Sequence, residues 1–231
     1  MLDSGGARAM RALALAATLA LVACAGAPPP AARGVARQSP VDLPVDHVLE
    51  RSAHRVVVDY HATPEHLVLL PHTLELEIER GSGLDYDGTR FDLEQLHFHT
   101  PSEHRLEGRR LPLEMHLVHR SAAGRLLVVA VLFEAGAADP FLERLLSDAP
   151  AHEGRVDRAD ALDVAAALGE SGPFYAYDGS LTTHPYTEGV TWLVRKRRGE
   201  ASSDQIVRLL VLEGGNARDV QPLGARAITE F

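Results

Sequence analysis

The stretch Gln95-Leu96-His97-Phe98-His99 alternates polar and apolar residues, which is typical of a half-buried β-strand. Because successive side chains of a strand point to opposite faces, His97 and His99 share one face, while Leu96 and Phe98 share the other. Two imidazoles on one face, one residue apart, are well spaced to bind the same metal ion. The sequence therefore predicts a metal-binding strand at this point.

A second predicted strand, Leu113-Glu114-Met115-His116-Leu117-Val118, offers a third histidine, His116, with apolar neighbours. Three neutral imidazoles with a fourth position left open are typical of a catalytic zinc site, whereas structural zinc sites are closed and often contain thiolates. The chain contains twelve histidines, so one His-x-His pair alone would be weak support for a metal site. The runs Thr100-Pro-Ser-Glu-His104 and Glu114–His119, which follow the pair, strengthen the prediction.

Short alternating stretches continue on both sides of this region and predict a single, mostly β domain with a few peripheral helices. The predicted strands are Arg55–Tyr60, His66–Leu70, His72–Ile78, Leu93–His99, Leu113–His119, Leu126–Phe133, Val190–Val194 and Ile206–Leu212. Helices are predicted at Asp139–Leu146 and Asp157–Leu168, and Gly169 provides a stop signal for the second. A length of 231 residues also favours one domain.

The composition excludes one class of partner. The formal net charge is −9, which argues against a general electrostatic surface for polyanions. We therefore predict no binding of nucleic acid. Hydrophobic residues make up 45% of the chain, which is ordinary for a globular protein and permits a sizeable core.

The N-terminus has the features of a targeting segment. Arg8 and Arg11 precede an apolar run, Ala12–Ala23. Twelve helical residues would span roughly 18 Å, well short of the ~30 Å hydrocarbon core of a bilayer. This length indicates a signal peptide rather than a membrane-spanning helix. Translation could start at Met1 or at Met10.

The apolar run ends in Leu21-Val22-Ala23-Cys24, which resembles a bacterial lipobox, where the cysteine is lipidated and becomes the first mature residue. The alternative is that Cys24, the one cysteine of the chain, is an incidental residue of a signal peptide cleaved elsewhere. We expect a signal peptide over 1–23, the lipidated cysteine and an Ala/Pro-rich tether over 24–36, and a catalytic domain over 37–231. The expected location is the periplasmic face of a membrane, with the outer membrane favoured by Ala25.

The stretch Leu96–Gly108, continued by Glu114–His119, resembles the active-site core of bacterial α-class carbonic anhydrases. Further blocks agree in the same order, covering nearly all of 37–228: Arg37–Asp42, Gly179–Pro185, Glu188–Trp192 and Gln221–Leu223 with Arg226. The resemblance implies an α+β fold around a large, twisted, mainly antiparallel central sheet. It also implies reversible hydration of carbon dioxide to bicarbonate and a proton, through attack by zinc-bound hydroxide.

The resemblance further assigns roles to individual residues. His97, His99 and His116 would bind Zn²⁺, and Gln95 and Glu114 would accept hydrogen bonds from the outer N–H groups of these imidazoles. Beside the open position, Thr182 would accept the proton of the hydroxide and donate to Glu103. Thr183 would lie next to bicarbonate. The apolar pocket for carbon dioxide would be lined by Val118, Val128, Leu181 and Trp192. His104, His119 and Tyr177 are interpreted as buried, hydrogen-bonded structure.

Proton removal requires a carrier with a pKa near neutrality, normally a histidine. His72 falls where the family keeps its proton shuttle, although an exposed histidine without a catalytic role is an equal alternative, and His184 is the next candidate. The usual Asn-Asn-Gly before the shuttle is here Leu69-Leu70-Pro71, followed by Glu75, and the usual Thr-Thr-Pro-Pro is Thr182-Thr183-His184-Pro185. Together with the absence of the family's N-terminal Trp- and Tyr-containing segment, these departures weaken the polar network expected to order the proton-carrying waters, and they predict an active but slow enzyme.

Two further departures concern the N-terminal part of the family pattern. The usual Trp- and Tyr-containing segment ahead of Arg37 is replaced by the tether, and Tyr186 stands where many bacterial members have a disulfide cysteine. Two other functions are alternatives, an acatalytic binding protein of the same fold and a zinc-buffering periplasmic lipoprotein. Acatalytic relatives typically lose zinc ligands, whereas this chain keeps all three together with Thr182 and Glu103. The oligomeric state stays open.

Overall fold

The structure, a computed structural model, describes residues 36–44, 49–169 and 172–231. The predicted signal peptide, Cys24 and almost the whole predicted tether lie outside the described residues. Among the described residues, no helix combines the length and the hydropathy that a bilayer crossing requires.

Strands dominate the described part of the chain. They are β1 (Asp42–Leu43), β2 (Glu50–Arg51), β3 (Val56–Asp59), β4 (Ala62–Leu70), β5 (Thr73–Glu77), β6 (Gly83–Tyr86), β7 (Thr89–His99), β8 (Arg105–Leu106), β9 (Arg109–Arg110), β10 (Leu113–Ser121), β11 (Leu126–Ala135), β12 (Gly154–Asp163), β13 (Phe174–Ser180), β14 (Glu188–Arg195), β15 (Gly199–Ala201) and β16 (Thr229–Glu230). The helices are α1 (Pro140–Asp148), α2 (Val164–Leu168) and α3 (Ser203–Glu213).

One large central sheet organises the domain. Its strands follow the order β12-β4-β5-β7-β10-β11-β14-β13-β16-β2, with β3, β6 and β15 paired beside this path. Most neighbours are antiparallel, and the parallel pairs are β11 with β14, β11 with β15, and β16 with β2. A small separate sheet joins β1, β8 and β9. The predicted fold class, mostly β around a large and mainly antiparallel sheet, is confirmed.

The two faces of β7 and β10 have different chemistry. Leu96, Phe98, Met115 and Leu117 are completely buried in the larger hydrophobic core. The opposite face of the same strands carries the histidines. The register places His116 directly across from His97 and continues to Ala130 on β11. The alternation that predicted this strand pair therefore also fixes where the imidazoles meet.

The predicted helix Asp157–Leu168 is wrong over most of its length. Residues 154–163 form β12, which pairs antiparallel with β4, and only Val164–Leu168 is helical. The side chain of Asp163 caps this short helix by accepting from the Ala165 amide, and it ends at Gly169, as predicted. β12 is an edge strand exposed along nearly its whole length, so backbone pairing with β4 decides its conformation and leaves almost no apolar alternation to detect.

The predicted strand Ile206–Leu212 is also wrong, because these residues form most of α3. Apolar residues occur on all sides of this helix, so the helical period is hidden, and the β-branched Ile206, Val207 and Val211 favoured a strand. The overlooked signal is the capping box, in which Ser202 and Gln205 each accept from the backbone N–H of the other. The predicted helix Asp139–Leu146 is confirmed as α1, with Asp139 as its N-cap.

Candidate metal centre and its cavity

Three histidines form the histidine cluster (His97, His99 and His116) on the face of β7 and β10 that lies away from the larger core. Their ring centroids are 5.1 Å (His97–His99), 5.2 Å (His97–His116) and 4.6 Å (His99–His116) apart. One nitrogen from each ring lies within 4.8 Å of the others, close enough for a single ion to contact all three. The structure thus brings together the three residues that the sequence analysis selected.

Two oxygen acceptors fix which nitrogens of the cluster are free. Gln95 Oε1 lies 2.8 Å from His97 Nδ1, and Glu114 Oε1 lies 2.8 Å from His116 Nε2. An oxygen of this kind can only accept, so these two nitrogens carry hydrogens. The lone pairs of the neutral rings are then on His97 Nε2 and His116 Nδ1, the atoms available to a cation.

His99 has an unusual environment for a buried imidazole. Its side chain is 4% exposed, yet neither ring nitrogen has a hydrogen-bond partner among the described residues. Burial lowers the pKa of His99 to about 4, although nearby Glu114 and Asn216 oppose the shift. Burial also lowers the pKa of His97 and of His116, and the positive form of each would repel its neighbours.

These features test whether a metal fits. The imidazoles are neutral at physiological pH, which is the form that binds a metal. A buried nitrogen without a partner is costly unless something binds it. Three imidazole nitrogens without a thiolate suit Zn²⁺, and a set of three leaves a fourth tetrahedral position open. The described residues therefore fit a zinc ion.

A fully buried carboxylate, Glu114, supports the cluster from behind. Its Oε2 accepts the backbone N–H groups of Glu103 and His104, each at 2.8 Å. Its Oε1 is shared by His104 Nδ1 at 2.6 Å and His116 Nε2 at 2.8 Å. Burial alone would raise the pKa of Glu114, but His104 and His116 outweigh it and hold this pKa well below its usual range.

His104 is near the cluster but is not free to bind a metal. Its second nitrogen, Nε2, lies 2.6 Å from the hydroxyl of Tyr177, which in turn donates to Ser39 Oγ at 3.0 Å. His104, Glu114 and His116 also come close enough together to suggest a metal site. Because both ring nitrogens of His104 already have partners, we interpret this second group as a hydrogen-bonded support.

Glu103 and Thr182 lie beside the cluster. Glu103 Oε1 accepts the Arg218 backbone N–H at 2.9 Å, while Oε2 has no hydrogen-bond partner among the described residues and lies 3.6 Å from His99 Nε2. Burial raises the pKa of Glu103, and a polar contact with the Thr182 side chain opposes this rise. The free oxygen of Glu103 is thus directed toward the cluster rather than away from it.

A cavity of about 310 Å³ opens onto His97 and His116. Its wall includes every residue that was expected around the substrate, namely Val118, Val128, Leu181, Thr182, Thr183 and Trp192. Val118 pairs across the ladder with Val128, which pairs with Trp192, so adjacent strands build one continuous apolar wall.

Three charged residues of the cavity wall were not identified as such from the sequence. Glu94 and Arg120 form an ion pair at 2.7 Å, and Glu75 lies across the strand ladder from His97. Burial raises the pKa of Glu75, and Glu77 adds to the effect. The strand alternation that found His97 also places Glu75 on this face, but nothing in the sequence indicates that a cavity opens above it.

His72 lies at the turn of the β4–β5 hairpin. Its Nδ1 lies 3.3 Å from the carbonyl oxygen of Glu213, and its own carbonyl accepts from Asn216 Nδ2 at 2.8 Å. The described residues that line the cavity do not include His72. His184 is exposed, packs edge-on against Tyr186, and is likewise outside the cavity wall.

Asn216 and Arg218 are functional candidates that the sequence analysis missed. Asn216 Oδ1 accepts the Thr100 backbone N–H, and its Nδ2 donates to the carbonyl oxygens of Phe98 and His72. Arg218 donates its backbone N–H to Glu103. Both residues lie more than 110 positions from the strand segments they hold, and no local motif marks them.

The fold is a predominantly β domain. Its central sheet carries three imidazoles that could hold one metal ion, beside a largely apolar cavity, which is an arrangement expected of mononuclear metal enzymes. Comparison with known families agrees with this description. A sequence profile described as eukaryotic-type carbonic anhydrase matches residues 28–231. The chain belongs to the α-class carbonic anhydrase family, whose members are lyases acting on carbon dioxide.

Individual relatives support the family assignment. A carbonic anhydrase from Nostoc sp. is 37% identical over 199 residues, covering 84% of this chain and 75% of the relative. The α-carbonic anhydrase of Thermovibrio ammonificans, solved with sulfanilamide, superposes with a TM-score of 0.80 at 35% identity, covering 84% of this chain and 86% of the other. A dioscorin solved with ascorbate superposes with a TM-score of 0.78 at 29% identity, covering 84% and 85%.

Proposed function

We propose that this chain hydrates carbon dioxide reversibly with a zinc ion held by His97, His99 and His116. The observation that carries the proposal is the convergence of three neutral imidazoles beside an open, apolar cavity. The net reaction joins carbon dioxide and water to give bicarbonate and one proton. Bound zinc lowers the pKa of a water ligand to about 7, a value established for carbonic anhydrases themselves, and so supplies a nucleophile at neutral pH.

The residues around the cluster prepare the attacking water and its substrate. In the proposed mechanism the Thr182 hydroxyl would donate to Oε2 of Glu103, which has no other partner among the described residues, and the threonine oxygen would then only accept and would orient the attacking water. Val118, Val128 and Trp192 form an apolar surface that suits carbon dioxide, which carries no charge and is a poor hydrogen-bond partner. Attack by hydroxide would form a carbon–oxygen bond while one C=O π bond of carbon dioxide opens, and the proton lost from the water would pass to a carrier. Thr183, on the cavity wall, would lie beside the bicarbonate.

Gln95 and Glu114 act by holding the imidazoles. Each accepts the outer N–H of one ring and thereby fixes its tautomer and its orientation. We include Asn216 in this group, because it anchors the backbone on both sides of His99. Glu114 and Asn216 lie outside the cavity wall, and Gln95, which is part of the wall, acts through His97, so all three are positioning residues.

The reaction is tested by stopped-flow measurement of hydration with zinc-loaded protein. His97→Gln removes one lone pair from the cluster and is expected to abolish both stoichiometric zinc binding and hydration. His61→Gln is the matched control, since His61 is an exposed histidine whose ring contacts Asp59 on the surface. Loss of hydration with both variants, or with neither, would contradict the assignment.

His72 remains our proposed proton carrier, although its ring lies against Glu213 and outside the cavity wall. A shuttle in this place must turn about its side-chain bonds to reach the cavity. His72→Ala is expected to lower turnover in weak buffer, with partial recovery when imidazole is added. An unchanged rate would exclude His72 and make His184 the next residue to substitute.

We further propose that the protein is exported and anchored on the periplasmic side through a lipid on Cys24, with the outer membrane favoured. The order of basic residues, apolar run and lipobox-like Leu21–Cys24 supports this proposal. Mass spectrometry of the N-terminal peptide from membranes tests it, since a lipidated Cys24 should be the first residue. An unmodified Cys24 inside a longer peptide would overturn the anchor and leave the enzymatic proposal intact.

A binding function is the second candidate, because the similar dioscorin was solved with ascorbate. Binding of ascorbate by this chain can be measured by titration calorimetry alongside the kinetic assay. Ascorbate binding without any hydration activity by the zinc-loaded protein would favour the binding function over catalysis.

A further inference from the structure

The outer face of α3 is apolar and exposed. Val207, Leu210 and Val211 are 54%, 43% and 76% exposed, and their spacing places them side by side on the helix. The inner side of α3 is buried through Leu209, with Gln205 and Glu213 bonded internally. A helix that is apolar on both sides is normally covered on both. We call these three residues and the side on which they lie the outer face.

Asp204, three positions before Val207, is exposed at the start of this side of α3, and between Val207 and the end of the helix the charged residues are Arg208 and the buried Glu213. The next positions on the same side of the chain are Gly214 and Gly215, which are not buried. Arg208, the one basic residue of the helix, turns to Glu143 on α1 at 3.2 Å. The second half of α3 therefore presents aliphatic side chains and backbone alone on this side, which is unusual for a surface exposed to water.

The outer face lies close to the cavity mouth. The β4–β5 hairpin tip contacts the end of α3, because His72 meets the Glu213 carbonyl and Asn216 donates to the His72 carbonyl. Leu70, in the same hairpin, is 45% exposed and also lines the cavity. Apolar surface thus occurs both on α3 and at the adjoining cavity mouth.

The chain outside the described residues begins near this helix. The side chain of Arg218 donates to Gln38 Oε1 at 3.0 Å and to the carbonyl oxygen of Ser39 at 2.7 Å. Arg218 is also close to α3 along the chain, because it lies five positions after the last residue of that helix. Five residues span at most about 18 Å. The thirteen residues from Cys24 to position 36 span at most about 45 Å, so a lipid on Cys24 would hold the domain, including α3, within reach of a bilayer.

We propose that the outer face of α3 docks on the surface of the bilayer that holds the Cys24 lipid. The inference rests on the proposed lipid anchor. Three aliphatic side chains would bind a membrane weakly on their own, but tethering turns docking into an intramolecular step with a high effective concentration. The overall charge of −9 gives no attraction to anionic lipids, so the contact is apolar rather than electrostatic.

Docking through α3 would bring the β4–β5 hairpin that contacts this helix, and with it Leu70 on the cavity wall, toward the membrane surface. Carbon dioxide partitions into apolar phases, so an enzyme docked through α3 would receive its substrate at the surface from which it emerges. The same arrangement would keep bicarbonate, an anion, on the aqueous side.

Quenching of tryptophan fluorescence by brominated lipids tests the contact. The acylated full chain is reconstituted into phosphatidylcholine vesicles with bromine on the acyl chains. Val211→Trp places a reporter on the outer face, and Val57→Trp, on β3 and 44% exposed in the native residue, is the matched control. Native Trp192 is 1% exposed and gives a constant background. We expect at least a twofold loss of the added fluorescence for Val211→Trp and little change for Val57→Trp.

The outcomes separate docking from the anchor and from catalysis. Mass spectrometry first establishes that Cys24 carries lipid, and hydration activity is measured on the same vesicles. Equal quenching of both reporters, or of neither, on acylated and active protein would overturn the docking proposal alone. Protection of Val211→Trp that depends on protein concentration, with dimers in sedimentation, would overturn it in favour of a second copy covering α3.

Discussion

Replacing Glu114 with Gln tests whether the buried carboxylate holds the metal centre together. The carboxylate accepts four hydrogen bonds, two at each oxygen. An amide of nearly the same shape replaces one oxygen by an NH₂ group, which cannot accept. Whichever way it turns, two of the four donors, either the two backbone N–H groups or the two imidazole N–H groups, lose their acceptor.

The size of the effect follows from this count. A hydrogen bond to a charged group contributes about 1.5–3 kcal/mol, so the loss of two is expected to lower the free energy of unfolding by roughly 3–6 kcal/mol. Loss of the partner that orients a metal-binding histidine typically costs about 10–100-fold in metal affinity. The loss of stability is expected in Glu114→Gln for either orientation of the amide. The loss of zinc affinity is expected for the orientation that turns the NH₂ group toward His104 and His116, which share Oε1.

Two measurements check this prediction. Urea unfolding of the zinc-free protein gives the stability, and competition with a chromophoric chelator gives the zinc affinity. Glu94→Gln is the matched control, because it neutralises a carboxylate of the same sheet that is 42% exposed and paired with Arg120. Such a pair contributes at most about 1 kcal/mol. If Glu114→Gln behaved like the control in both assays, the reasoning would be refuted.

Three further predictions concern pH and the cavity. Burial raises the pKa of the Glu213 carboxyl from its ordinary value of 4.5 to about 8. Between these pH values the native state keeps a proton that the unfolded state has released, so the free energy of unfolding falls as the pH rises through this range. Glu213→Gln, which imitates the protonated form, should match the wild type at pH 5 and exceed its unfolding free energy at pH 9; equal stability at both pH values would contradict this. Burial lowers the pKa of His119 to about 3, so the unfolded state binds the extra proton and stability is lost as the pH falls from 6.5 toward 3. His119→Gln should therefore reduce the slope of the unfolding free energy against pH in this window by up to about 1.4 kcal/mol per pH unit. Urea unfolding of zinc-free protein at several pH values measures this slope, and an unchanged slope would exclude His119 as the origin of the pH dependence. Val118→Phe should fill part of the apolar wall and lower kcat/KM for hydration by at least about tenfold, or about 1.4 kcal/mol of barrier, while zinc content stays stoichiometric; full activity would place the substrate elsewhere.

The histidine cluster was predictable because two of its three residues are neighbours on one strand. His97 and His99 lie on one strand, and a period of two residues is enough to place them on one face. The same period places Gln95 beside His97, where the structure finds it hydrogen-bonded. Thr182 and Glu103 were assigned to the site only through the resemblance to a known family, because no periodic pattern in the sequence connects them with the histidines.

The errors have the opposite origin. β12 is held by pairing with β4, about ninety residues away, so its own residues contain little information about their conformation. α3 was misread because the exposed Val207 and Val211 remove the contrast between an inner and an outer side. Asn216 and Arg218 were missed because the loops that contain them have no regular period. In each case, the conformation or the role of the residues depends on contacts with residues distant in the sequence, which a local pattern does not contain.

The position of Arg218 has a consequence for the order in which the protein acquires its metal. Arg218 binds the carbonyl of Ser39, 179 residues earlier in the chain, and also holds Glu103 through its backbone. Contacts of such long range form late, because a large loop must first be closed. A nascent chain whose last fifteen residues or so are still unfolded lacks this closure. The contact that holds Glu103 beside the histidine cluster would thus form only after the polypeptide is complete, so an ion bound to the cluster earlier would lack this side of its surroundings.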